Sequence, residues 1–146
     1  MNKHAITAIL DQALERESRT VDVPEPEDWG RLERKFATQF PDAFRSFIEL
    51  MSIFHFPGDI LNVRESGKTN GNDTIALTYD LEMKDQWNAD LIPFYSIGNG
   101  DYFCLSAKEG RASAVYYWSH ENHSVSKENE SFENWLKALP GFLGVP

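Results

Sequence analysis

The 146-residue chain holds one cysteine, Cys104, so no internal disulfide can form. Phe103 and Leu105 flank it in a strand-like stretch, which predicts a buried thiol acting as a small hydrophobe. Long apolar runs are also missing. Nothing approaches the roughly 18 residues of a membrane-spanning helix, so no membrane association is expected. The start, Met1-Asn-Lys-His4, is followed by apolar residues interrupted by Asp11, Gln12 and Glu15, which is not the unbroken centre of a signal peptide. A cytoplasmic location is the expectation. Positive charge is scarce as well: 14 Lys and Arg face 23 Asp and Glu, a net of −9. Residues 1–45 carry a net of −2 and residues 46–146 a net of −7. Such a surface repels phosphate backbones, so no nucleic-acid binding is expected, whereas a basic protein would be steered toward it.

Signatures of catalysis are absent too. Neither GxxxxGK[ST] nor GxGxxG occurs, and no GxSxG elbow is present. Gly98-Asn-Gly100 leads into a strand rather than a helix, so it is a turn and not a phosphate cradle. His120-Glu-Asn-His123 is the one cluster worth testing as a metal site. Its histidines are three apart, across a predicted turn, unlike the one-turn helical spacing of HExxH. Ser96, Ser106, Ser119 and His120 offer a nucleophile and a base on paper, but nothing arranges them into a relay. The expectation is therefore a protein that is not an enzyme, with no catalytic, cofactor or metal residues.

Aromatic mass is abundant, with 10 Phe, 5 Tyr and 4 Trp. Rings burying about 150–250 Å² each can fill a core without staples. The length suits one domain over residues 1–146. Ile6, Ile9, Leu10, Ala13 and Leu14 make one helical stripe. Pro24 and Pro26 break it. A second helix opens near Asp28 and repeats Trp29, Leu32 and Phe36. Pro41 and Asp42 begin a third, with Phe44, Phe47, Ile48 and Met51 on one face. Residues 60–63 read as a short strand, 65–73 as a surface loop, and 79–87 as a short helix. Residues 91–98 and 101–106 are strand-like runs around Asn99-Gly100, the preferred type I′ hairpin pair. Strands at 114–118 and about 123–127 follow. In the former, alternation sets Val115 and Tyr117 on one face and Tyr116 and Trp118 on the other, so either both faces are covered or an aromatic face is open for recognition. Ser131 caps a last helix with Phe132, Trp135, Leu136 and Leu139 inward, ended by Pro140-Gly141. Helices, then antiparallel strands, then a helix make an α+β fold.

Several of these pieces, in this order, resemble the SUKH superfamily, in the branch related to fungal cell-wall-assembly regulators. They are Trp29-x-x-Leu32-Glu33-x-x-Phe36 and Phe40-Pro41-x-x-Phe44-x-x-Phe47. Next are Leu91-Ile-Pro93-Phe94 running into Gly98-Asn99-Gly100-Asp101-Tyr102-Phe103-Cys104-Leu105, and Val115-Tyr-Tyr-Trp118-Ser-His120-Glu121. Ser131-Phe132-Glu133-x-x-Leu136 closes the set. The match covers roughly residues 28–139. The family often has an Asn-Gly-Gly turn after the third helix, where this chain reads Ile53-Phe-His-Phe-Pro-Gly58. The resemblance implies a curved, mainly antiparallel sheet flanked by N-terminal helices and a C-terminal helix. It implies protein binding without catalysis or cofactor: an immunity protein that neutralises a toxin domain, a nuclease among the candidates, or an intracellular regulatory adaptor. It marks Asp101, Trp118, His120 and Glu121 as partner-binding candidates, to which the strand pattern adds Tyr116. The sequence leaves the oligomeric state open.

Overall fold

Caps set where the helices begin. The computed structural model describes residues 1–17, 23–64, 74–84, 89–96 and 98–143. Asn2 accepts from the Ala5 N–H at 2.8 Å and opens α1 (Lys3–Ala13), whose Ile6 and Leu10 are fully buried. The second helix, α2 (Pro26–Phe36), starts two residues before the expected Asp28. Proline fits its first turn, and Asp28 reaches back to accept from the Glu25 N–H at 2.8 Å, completing a capping box. Pro41 stands just outside α3 (Asp42–Leu50) as its N-cap. Thr74 caps α4 (Ile75–Glu82) through a 3.1 Å bond from the Leu77 N–H. This helix lies earlier than the 79–87 expected, because its capping threonine sits at the end of a polar stretch that reads as loop. Residues 85–88, like the anticipated 65–73 loop, fall outside the described residues. Ser131 caps α5 (Phe132–Phe142), as expected, accepting from the Asn134 N–H at 3.1 Å.

The strands β1 (Asp59–Ile60), β2 (Leu91–Ser96), β3 (Tyr102–Ser106), β4 (Val115–Trp118) and β5 (Val125–Asn129) form one open antiparallel sheet in the order β1-β2-β3-β4-β5. With its helices, this is the expected α+β fold. β1 is shorter than anticipated. Ile60 pairs with Tyr95, but Asn62 already leaves the sheet to bridge Thr74.

Two further expectations are corrected. The β2–β3 connection is not a type I′ turn on Asn99-Gly100. Positive φ falls on Gly98 (98°) and Gly100 (91°), and Asn99 instead uses its side-chain oxygen to accept from the Asp101 N–H at 3.0 Å. The last paired residues there, Tyr95 and Phe103, leave a connection longer than two residues, which needs an Asx-type brace rather than a tight reversal. Pro140 does not end α5 either. The helix runs on to Phe142, and the Leu143 N–H bonds Leu139 O at 2.9 Å. Proline removes one intrahelical bond near the end, and the edge-on contact of Phe142 with Phe103 (5.4 Å) holds the extra turn.

Residues 53–58 close onto the segment after α1. Glu17 N–H donates to Ile53 O at 2.6 Å, His55 N–H to Glu15 O at 3.0 Å, and the Tyr95 hydroxyl to Pro57 O.

The main core lies on one face of the sheet. Phe44 meets Phe94 and Phe132 edge-on at 5.5 and 5.2 Å, and Trp135 meets Phe47 and Phe94 likewise at 5.7 and 5.2 Å. Each such pair adds about 0.5–1.5 kcal/mol beyond area burial. On the opposite face Met83, Leu91, Cys104 and Trp118 make a smaller cluster. Alternation along β4 is as expected, with Val115 in the first cluster and Trp118 in the second.

Candidate functional site

Asp101 leaves the β2–β3 turn beside the end of β4. Its Oδ1 accepts from the His120 N–H at 2.9 Å and lies 2.6 Å from His120 Nδ1, while Oδ2 accepts from the Tyr117 hydroxyl at 2.5 Å. An ionised carboxylate only accepts, so Nδ1 carries the proton in this pair. Asn99 Nδ2 is 3.4 Å from the same carboxylate and 3.5 Å from the Tyr117 hydroxyl. Burial would raise the Asp101 pKa. The bonds from Tyr117 and from the His120 backbone and ring outweigh it and hold the group below the ordinary carboxylate range. Gly100 leaves room for this arrangement. A Cβ there would meet the His120 ring at 3.0 Å.

The other marked residues are placed differently. Tyr116 is half-buried on the far face and donates to Glu109 at 2.7 Å. Burial first, then that bond and the charges of Glu109 and Glu130, push its phenol up to about 12. Glu121 is exposed in the β4–β5 turn. Trp118 is only 1 % exposed, between the rings of Tyr102 (6.0 Å) and His123 (5.4 Å). It supports the strand from within. His120 and His123 do not converge: one ring faces Asp101, the other stacks on Trp118. Cys104 is fully buried, and burial raises its thiol pKa far above the ordinary value.

Tyr117 links this cluster to a cleft of about 300 Å³ between the sheet and α5. Phe103 and Trp135 form its base, Tyr117 and the exposed Phe142 flank it, and Glu128 stands on its rim. The cleft is not legible in the sequence, because its residues come from β3, β4, β5 and α5. Two local signals point toward it: alternation sets Tyr117 opposite Trp118, and an apolar Phe142 follows Pro140-Gly141.

The Asp101 cluster lies where the central strands β3 and β4 meet their turns, and two of the pieces carrying the resemblance run through it. The chain matches the family model described as SMI1-KNR4 cell-wall, SUKH_5, over residues 5–139. It belongs to the SMI1-KNR4 family. The match extends beyond the expected span of roughly 28–139 at the N-terminal side, where it takes in most of α1. A comparison with curated proteins finds no match. Members of the family are typically non-enzymatic, and membership suggests an immunity or regulatory role exerted by protein–protein interaction. No helix among the described residues is long and apolar enough to cross a membrane.

Proposed function

We propose that residues 1–146 form one cytoplasmic SUKH domain that binds a toxin domain and neutralises it, without catalysis or cofactor. The observation that carries this reading is the family match over nearly the whole chain. Charge supports it. The net of −9 suits a basic partner, and a nuclease face built to hold phosphates is basic. The proposed contact surface centres on Asp101, His120 and Glu121 at the strand ends. Tyr116 contributes from the opposite face of β4, where Trp118 holds the strand in place. A regulatory adaptor is the second reading, favoured by the cell-wall description of the matching family.

Affinity capture from the source cells with mass spectrometry, followed by co-expression, tests the choice. One toxin domain recovered near equimolar, whose lethality the chain suppresses, supports neutralisation. Several substoichiometric partners without protection support the adaptor. If changing Glu121 and His120 together leaves the affinity and salt dependence for that partner unaltered, the contact surface is wrong.

A further inference from the structure

The cleft beside the Asp101 cluster has a composition that selects for one kind of guest. Phe103 and Trp135, each 4 % exposed, lie under it with ring centroids 5.6 Å apart. Tyr117 meets Phe103 edge-on at 5.2 Å on one side, and Phe142 does so at 5.4 Å on the other. Four aromatic rings around about 300 Å³ can hold an apolar chain or a cation. Three observations favour the cation. Strand alternation puts Ser126 and Glu128 on the Tyr117 side of the sheet, and the Ser126 hydroxyl braces the Glu128 carboxylate at 3.1 Å. Among the described residues, no lysine or arginine pairs with Glu128. Behind the cleft, the Tyr117 hydroxyl donates to the Asp101 carboxylate, which makes the phenol ring more electron-rich and its face more attractive to positive charge.

We propose that the slot between β5 and α5 receives an arginine side chain from a protein partner, its guanidinium flat against the Tyr117 and Trp135 rings and its charge met by Glu128. Guanidinium suits the site better than ammonium, because it is planar, weakly hydrated and stacks on aromatic faces. The proposal rests on the reading of the chain as a binder of a basic protein. It makes the slot a specific anchor beside a surface that otherwise attracts by charge.

The test uses the full ¹⁵N-labelled chain titrated with N-acetyl-arginine amide and, separately, with N-acetyl-citrulline amide, which has nearly the same shape without the charge. The Trp135 indole and the amides of Tyr117 and Glu128 are followed by NMR. Expected are saturable shifts confined to the cleft, with citrulline weaker. Glu128→Gln should weaken arginine binding about two- to five-fold, as for an exposed charge pair. Phe142→Ala, a change at an exposed position, should weaken it as well. Glu82→Gln, on α4, should not. Equal binding of citrulline would make the slot merely apolar. Shifts scattered over the acidic surface and reduced alike by both Glu→Gln changes would make the effect generic charge. Either result, or no saturable binding, overturns the proposal. None of them bears on partner capture, so this inference and the proposed function fail separately.

Discussion

Asp101 gathers the His120 N–H, the His120 ring and the Tyr117 hydroxyl on one carboxylate whose side chain is 12 % exposed. Asparagine keeps the shape but turns one oxygen into a donor, leaving Tyr117 or His120 mismatched. Asp101→Asn should cost about 1–3 kcal/mol, read by urea denaturation at neutral pH. The effect should depend on pH. The folded-state pKa is lowered, so the stabilisation is fully present above the unfolded value of about 4 and is lost as pH falls through the folded one. The gap between the native chain and Asp101→Asn should therefore narrow below about pH 4. Cys104 gives a second test at this scale. Buried and raised in pKa, it should ignore an aromatic disulfide reagent in the native chain and react with one equivalent in denaturant. A thiol that reacts without denaturant would contradict its place under Trp118.

At the level of elements, Gly98 and Gly100 share a left-handed φ but not their surroundings. A Cβ at Gly98 meets nothing within 4 Å, whereas one at Gly100 meets His120. Gly98→Ala should cost about 1–2 kcal/mol from backbone strain alone. Gly100→Ala should cost more, and the excess should vanish when His120 is also changed to alanine. Thermal or urea unfolding of the double-mutant cycle measures this. At α5, Ser131→Ala removes the cap and should cost about 1 kcal/mol. Most element types were legible in the sequence because their signals are local. The stripe of Phe132, Trp135, Leu136 and Leu139 reads as one buried helix face, and all four are buried. What could not be read depended on remote partners. Nothing near Pro140 says that Phe103 will hold Phe142, and nothing near Asn99 gives the register that lengthens its turn. The candidate residues divide in the same way. The motif named Asp101 and His120, which touch. It could not place Trp118 inside, nor join Tyr117 to Glu128 and α5.

Over the whole molecule, α1 packs on α3 and α5, and Ile6 and Leu10 are its fully buried residues. Removing residues 1–14 would expose the surfaces they cover. At about 1.5–3 kcal/mol for each large apolar side chain, the loss takes a large share of the about 5–15 kcal/mol typical of a domain. The truncated chain should show a lower midpoint and a broader urea transition. Exposed α3 and α5 surface, detected by an apolar dye, should accompany it.

The pairing of α1 with α5 also sets an order of events during synthesis. The ribosome releases α1 before both of its partner helices, and α5 comes more than a hundred residues later than α1. At about 5–20 residues per second, the part of α1 that α5 covers stays open for several seconds or more. A nascent-chain chaperone has that interval in which to hold α1, and stalling translation before Ser131 should keep it bound.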